Sequence, residues 1–242
     1  MSIYKDILNA IEKSQRLLAV LVDPDKLKIE DVSGFLLNLN NSMATHIFVG
    51  GSTVEANATK KLVIEIKTHS NLPVVLFPGD ITQITGHAEA ILFLSLISGR
   101  NAEYLIGKHV DSVPLLKETN LEVIPTGYIL IENGIETAIE RVTETQPMSR
   151  LHGQQIVDTA LAGELLGMKL MYLEAGSGAT QPVPMEIISK VKKELSIPII
   201  VGGGIRTKQQ LDDAFSSGAN LVVIGTAFED DETFFDELQM PL

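Results

Sequence analysis

The sequence predicts a single (β/α)8 barrel of the TIM-barrel class, formed by residues 1–242 as one domain. Eight short apolar, β-branched runs recur along the chain, and segments of helical period separate most of them. Several runs are apolar on successive residues, as in strands that are buried on both faces of a parallel sheet. The length of 242 residues is close to the roughly 250 that such barrels use. No linker rich in proline or glycine divides the chain.

The predicted strands follow one another without a long interruption, which favours a closed barrel over an open sheet. They occupy residues 17–22, 45–49, 73–77, 90–96, 122–128, 170–174, 197–201 and 221–224, and helical patterns occupy 54–69, 101–118, 153–167, 184–195 and 207–217. Only about a dozen residues, from Pro78 to Glu89, separate the third strand from the fourth. We therefore expect an atypical or missing helix after strand three. The long segment 129–150 is predicted to be a lid or an interface element.

Composition excludes several classes of function. Cysteine is absent, so disulfides, thiolate nucleophiles and thiolate metal sites are excluded. The five histidines show no spacing of a metal cluster. A net charge of −12 disfavours nonspecific binding to nucleic acid. The apolar runs are too short to span a bilayer, and the N-terminus lacks a signal-peptide pattern, so we expect a cytoplasmic protein without stable membrane insertion.

Glycine-bearing turns follow three consecutive strands in the second half of the barrel. These turns are Tyr172-Leu173-Glu174-Ala175-Gly176-Ser177-Gly178, Gly202-Gly203-Gly204 and Gly225-Thr226. Glycine allows backbone N–H groups to converge on a ligand, and barrels commonly hold phosphate at this place. One such glycine-bearing segment alone is equally consistent with an ordinary tight turn and with a phosphate site. Three at neighbouring strand ends predict a phosphate site whose donors are neutral, which suits an acidic protein.

Two oxygen-bearing side chains end the first two predicted strands. Asp23 follows strand one and Ser52 follows strand two, both at the end of the barrel where catalysis occurs. A carboxylate beside a hydroxyl suits Mg²⁺, which takes few protein ligands and completes its octahedron with water and substrate phosphate. Read alone, each sequence is equally consistent with a turn that leads into a capped helix.

Together these motifs resemble the geranylgeranylglyceryl phosphate synthase family. The likeness covers nearly the whole chain, and its most specific part is the string from Tyr172 to Gly178; Asp23-Pro-Asp-Lys, Val49-Gly-Gly-Ser and Val201-Gly-Gly-Gly-Ile-Arg also contribute. The resemblance implies a prenyltransferase that joins the C3 hydroxyl of sn-glycerol 1-phosphate to a polyprenyl diphosphate such as geranylgeranyl diphosphate. Diphosphate is released and Mg²⁺ is required.

The resemblance also implies roles for individual residues. Asp23 and Ser52 would hold Mg²⁺. Glycerol phosphate would be bound by the second half, through Tyr172, Leu173, Glu174, Ala175, Gly176, Ser177, Gly178, Gly203, Gly204, Gly225 and Thr226. Glu174 is the candidate catalytic residue, either as the base for the attacking hydroxyl or as a group that only orients it. Phe77, Pro78 and the apolar strand from Ile91 to Ile97 are predicted to border a prenyl groove. Related proteins form dimers or hexamers, so a homo-oligomer is expected.

Two other functions are consistent with the same motifs. A barrel isomerase or synthase acting on a sugar phosphate or amino-sugar phosphate would use the same phosphate loops, with Asp23 as a general base, and its activity would survive a chelator. A noncatalytic phosphate-ester-binding barrel would have similar loops and no turnover.

Overall fold

The fold is a closed barrel of parallel strands, as the sequence predicts. The computed structural model describes residues 2–225, 227, 228, 234 and 238. Within these residues eight strands pair in chain order, and the last pairs with the first. The strands are Leu17–Val22 (β1), His46–Val49 (β2), Val74–Leu76 (β3), Ala90–Leu96 (β4), Glu122–Leu130 (β5), Leu170–Glu174 (β6), Ile199–Gly202 (β7) and Leu221–Ile224 (β8). Each overlaps a predicted strand.

Helices alternate with the strands around the barrel. They are Ile3–Glu12 (α1), Val32–Asn40 (α2), Ala58–His69 (α3), Lys108–Lys117 (α4), Ala138–Thr143 (α5), Gly153–Leu165 (α6), Met185–Glu194 (α7) and Lys208–Ser216 (α8), with a π-helical turn at Glu103–Gly107 before α4. Each segment predicted to be helical contains one. Between β3 and β4 the structure has only a 3-10 turn, Ile81–Gln83, which confirms the missing helix. Among the described residues no helix is long and apolar enough to cross a membrane.

Strand alternation divides the apolar residues between two layers. In β6, Leu170 and Tyr172 belong to the cluster inside the barrel, whereas Met171 and Leu173 pack in the layer between strands and helices. The amphipathic helix α1 adds apolar side chains to the inner cluster at the N-terminal end of the strands. Its first turn is fixed by Ser2, which accepts from the Lys5 amide and donates to Glu122. The opposite end of the barrel is left for the loops that carry the predicted motifs.

The barrel wall is thinnest between β3 and β4. These strands share two register pairs, Val75 with Ala90 and Leu76 with Ile91, whereas β4 and β5 share seven. Above Ile91, β4 has no register partner on β3, and the segment that joins the two strands contains only a 3-10 turn. We call this part of the wall the β3–β4 seam. Phe93, Leu94 and Ser95 of β4 are only half-buried, whereas Leu92 and Leu96 are buried.

After β3 the chain turns towards β2 and away from β4. A Cβ atom at Gly50 would lie 1.8 Å from the carbonyl oxygen of Phe77, so only glycine allows the two backbones to approach this closely. Gln83 fixes the next residue, because its side-chain amide donates to the Gly51 carbonyl at 2.7 Å and accepts from the Gly51 amide at 3.2 Å. These contacts hold the seam open.

Replacing Gly50 with alanine tests this close approach. Because the added Cβ overlaps backbone and not a flexible side chain, we expect Gly50→Ala to lower the free energy of unfolding by at least about 3 kcal/mol. Gly34→Ala is the matched control, since Gly34 is exposed within α2 and a Cβ there meets nothing within 4 Å. The control should be neutral or stabilising in denaturant titrations. Equal stability of the two variants would contradict the interpretation.

Candidate active site

A cavity of about 340 Å³ opens at the C-terminal ends of the strands and contains most of the predicted site. It is bordered by the following residues predicted from the sequence: Asp23, Ser52, Tyr172, Glu174, Gly176, Ser177, Gly178, Gly203, Gly204 and Gly225. The side chains of Leu173 and Ala175 pack in the outer layer instead. Thr226 lies outside the described residues. The structure thus brings the two predicted halves to one cavity.

The phosphate half is formed by loops in left-handed backbone conformations. Gly176, Gly178, Gly203 and Gly204 all have positive φ, from 72° to 99°. A Cβ at Gly203 would lie 2.7 Å from the Gly176 amide nitrogen and 2.3 Å from Oε1 of Glu174, so the β6 and β7 loops meet with no room for a side chain. Backbone amides gathered in this way can bind an anion without cationic side chains.

Glu174 ends β6 and is 6% exposed. Its Oε1 accepts from the Gly176 amide at 2.6 Å. Burial raises the pKa of this carboxyl to about 7, although the Gly176 amide and the Tyr172 phenol act in the opposite direction. A carboxyl with this pKa exchanges its proton near neutral pH, which a general base requires. The geometry is equally suited to orienting a substrate hydroxyl.

Asp23 and Ser52 face the same cavity from β1 and β2. The Asp23 carboxylate lies against Gly51, where a Cβ would be 2.9 Å from both of its oxygens. Its Oδ1 accepts from the Asp25 amide at 3.0 Å, and partial burial raises its pKa. An oxygen donor set of one carboxylate and one hydroxyl fits Mg²⁺. Within the described residues, no three histidine or acidic side chains converge as a metal-binding group.

An apolar groove leaves the cavity through the β3–β4 seam. Phe77, Pro78, residues 91–94 and Leu96 border it, whereas Ser95 and Ile97 of the predicted stretch do not, and the 3-10 turn and α4 form its two outer walls. Phe93 packs edge-on against His109 of α4, with ring centroids 4.3 Å apart. Lys108 of α4 and Asp80 before the 3-10 turn form an ion pair at 2.6 Å that joins the two walls.

The segment predicted as a lid or interface element packs on the phosphate half. The buried Asn133 donates from Nδ2 to the Ala175 carbonyl at 2.6 Å, and the Thr137 methyl lies where a Cβ of Gly176 would be. Thr137 also caps α5 through a reciprocal pair of hydrogen bonds with Glu140. Ile139 and Val142 of α5 then border the apolar groove. The segment therefore contacts both the phosphate loops and the apolar groove.

Sequence reasoning missed three residues that shape this site. Gln83, Asn133 and Tyr128 are buried polar residues, and the first two are hydrogen-bonded to the loops that carry the predicted motifs. Nothing in the local sequence of Gln83 or Asn133 indicates their roles. Tyr128 alone had a signal, because strand alternation places it on the same face as the inward residues of β5.

Comparison with known proteins identifies the family. The PcrB family matches residues 9–240. A geranylgeranylglyceryl phosphate synthase of Flavobacterium johnsoniae is 55% identical over 97% of each chain. The chain belongs to the PcrB family. A synthase of the same name from Thermococcus gammatolerans is 42% identical over 90% of this chain and 86% of its own. The predicted resemblance to geranylgeranylglyceryl phosphate synthases is thus confirmed, and with it the enzyme class, a prenyltransferase.

Solved structures support the same assignment. The geranylgeranylglyceryl phosphate synthase of Thermoplasma acidophilum, solved in complex with its substrate sn-glycerol-1-phosphate, superposes with a TM-score of 0.91. It is 30% identical and covers 98% of this chain and 96% of its own. The synthase of Thermoplasma volcanium has the same TM-score at 32% identity. The PcrB fold is conserved between these proteins and this chain far beyond the motif residues.

The buried charge of Glu174 predicts how stability depends on pH. Its pKa is about 7 in the folded protein and 4.5 ordinarily. Between these values the folded state retains a proton that the unfolded chain loses, so stability falls as pH rises, by up to about 3 kcal/mol. Glu174→Gln removes this cost. We therefore expect its melting temperature, relative to that of the unmodified protein, to increase from about pH 4.5 to pH 8.

Calorimetry at several pH values without ligand checks this expectation. Glu118→Gln is the matched control, because it makes the same chemical change at an exposed position. A Glu174→Gln difference that does not vary with pH would show that the carboxyl is not desolvated.

Proposed function

We propose that this protein transfers a polyprenyl group from its diphosphate to the C3 hydroxyl of sn-glycerol 1-phosphate. The observation that carries the proposal is the apolar groove that joins the phosphate loops at Glu174. A sugar-phosphate isomerase would leave this long apolar surface without a ligand. The complex of the Thermoplasma acidophilum relative with sn-glycerol-1-phosphate supports the same acceptor.

Each half of the cavity suits one substrate. The amides of the β6, β7 and β8 loops bind the phosphate of the acceptor, and Glu174, next to these loops, accepts a hydrogen bond from its C3 hydroxyl. The prenyl chain lies in the groove through the β3–β4 seam, between the 3-10 turn and α4. The diphosphate then lies at the mouth, near Asp23 and Ser52.

The reaction exchanges the bond between the prenyl carbon and the diphosphate for an ether bond, and the proton of the C3 hydroxyl moves to Glu174. The C3 oxygen attacks the first carbon of the prenyl chain while the bond from that carbon to the diphosphate oxygen breaks. Glu174 takes the proton of the hydroxyl, for which its pKa near 7 is suited. Mg²⁺ held by Asp23 and Ser52 would neutralise the charge that develops on the diphosphate. The buried walls of the groove exclude water from the allylic carbon.

A direct assay tests this proposal. Purified protein is incubated with sn-glycerol 1-phosphate and labelled geranylgeranyl diphosphate, with Mg²⁺ or with EDTA, and the prenyl ether is extracted into organic solvent. We expect product only with Mg²⁺, and little with sn-glycerol 3-phosphate, the stereochemical control. Absence of product with donors of several lengths would overturn the proposal.

Asp23→Asn tests the metal site in the same assay. Loss of the carboxylate charge should lower kcat/KM at least about 100-fold and raise the Mg²⁺ concentration needed for half-maximal activity. Asp31→Asn is the matched control, because Asp31 is exposed before α2 and its side chain makes no capping bond. The control should keep full activity. Unchanged Mg²⁺ dependence in Asp23→Asn would place the metal elsewhere.

The groove predicts how donor length is selected. Ser112, one turn after Lys108, borders the cavity, is buried, and donates to the His109 carbonyl at 2.8 Å. A phenylalanine at this position fills the groove far from the mouth. We expect Ser112→Phe to lower kcat/KM for geranylgeranyl diphosphate at least about tenfold and to spare geranyl diphosphate.

Val113→Phe controls for the added ring, since Val113 is the next residue of α4 and its side chain is exposed. Its donor preference should be unchanged. Equal loss with both donors in Ser112→Phe would argue against a prenyl chain in this groove. The natural donor length, a homo-oligomeric state and a cytoplasmic location remain predictions.

A further inference from the structure

Tyr128 lies on β5, directly opposite Tyr172 in the register of β5 and β6. Both side chains point into the barrel and border the cavity. Their ring centroids are 5.2 Å apart, and Phe77 lies 6.0 Å from Tyr128 and 5.3 Å from Tyr172. The three rings form the floor of the cavity one layer below Glu174, which pairs in register with Leu130.

The hydroxyl of Tyr128 is buried and has no hydrogen-bond partner within the described part of the chain. The residue is 4% exposed. A phenol in such a place usually has a partner, because burial without one is costly. Tyr128 borders the cavity, so an acceptor atom of a bound ligand can reach its hydroxyl from that side. The missing partner is therefore expected to arrive with a ligand.

The position of the phenol relative to Glu174 indicates which ligand this is. A Cβ at Gly202 would lie 2.4 Å from the hydroxyl of Tyr172 and 2.8 Å from Oε2 of Glu174, so the carboxylate lies beside the hydroxyl of Tyr172, the register partner of Tyr128. Burial, and secondly the charge of Glu174, raise the pKa of Tyr128 well above its ordinary value. Tyr128 thus stays protonated, and is a hydrogen-bond donor, near neutral pH.

We propose that the Tyr128 hydroxyl donates a hydrogen bond to the C2 hydroxyl of the bound glycerol phosphate. This inference rests on the proposed acceptor. An ionised Glu174 only accepts, so a polyol held by it still offers lone pairs that need a donor. Donation to the attacking C3 oxygen would withdraw electron density from the nucleophile. The non-reacting C2 oxygen is the partner for which the bond stabilises binding at no cost to attack.

This hydrogen bond is tested by comparing two ligands, with and without the C2 hydroxyl, in the unmodified protein and in Tyr128→Phe. Binding of sn-glycerol 1-phosphate and of 3-hydroxypropyl phosphate, which lacks the C2 hydroxyl, is measured by calorimetry with the unmodified protein and with Tyr128→Phe. We expect the unmodified protein to prefer the glycerol ester by about threefold to tenfold. Tyr128→Phe should bind both ligands with nearly equal affinity, because the group that distinguishes them is gone.

Kinetics and stability separate this role from a structural one. In Tyr128→Phe the KM for glycerol phosphate should rise about threefold to tenfold, and the KM for the prenyl donor should be unchanged. The melting temperature without ligand should be equal or higher, because an unpaired buried hydroxyl is removed. Tyr4→Phe is the matched control, since Tyr4 lies on α1 with Lys169 over its ring, and it should change none of these values.

The contrary results distinguish failure of the Tyr128 inference from failure of the proposed function. Full preference for the glycerol ester in Tyr128→Phe, or a change confined to the prenyl donor, would overturn the inference while leaving the proposed function intact. Failure of the unmodified protein to bind glycerol phosphate would overturn both.

Discussion

The architecture of the site depends on the short pairing between β3 and β4. A closed barrel normally buries its wall under helices, and here two register pairs and a 3-10 turn replace that cover. The gap is possible because β2 and the end of β3 approach so closely at Gly50 and Phe77 that the chain is drawn to the other side. A barrel interior that is otherwise a packed core thereby acquires an apolar exit beside its catalytic end.

The anion binding that we propose for this protein depends on backbone geometry more than on charge. The chain carries a net charge of −12, and a concentrated cationic site would have to compete with the surrounding acidic surface. Amides in the β6 and β7 loops avoid this difficulty because they are neutral and fixed in position. The same neutrality leaves Glu174 without a cationic partner among its hydrogen bonds, and burial then dominates its pKa. Phosphate binding and a proton acceptor near neutral pH are thus compatible in one pocket.

The sequence predicts the elements that depend on local pattern. The apolar runs locate all the observed strands, because residues buried on both faces of a parallel sheet must be apolar in succession. Glycines at strand ends locate the phosphate loops, because positive φ and close approach exclude other residues. Asp23 and Ser52 follow from their places at strand ends. Each of these features depends on the residues of one segment and can therefore be predicted from local sequence.

Contacts between distant segments could not be predicted in this way. Gln83 binds Gly51 across 32 positions, and Asn133 binds Ala175 across 42. An isolated glutamine or asparagine in a polar segment is also typical of an exposed loop. The role of Tyr128 depends on its register with Tyr172, which exists only once the barrel has closed. The family resemblance supplied the reaction class, which neither composition nor periodicity contains.

The attachment of α5 to the phosphate loop has a consequence for enzyme engineering. Because Asn133 and Thr137 join the segment to residues 175 and 176, α5 cannot be redesigned for a new prenyl donor without disturbing the acceptor. Within the described residues, the opposite wall of the groove makes no hydrogen bond to the phosphate loops, since α4 packs on β4 and forms an ion pair with the 3-10 turn. Libraries that aim at new ether lipids are best confined to α4, where donor choice can change while the glycerol ester stays in place.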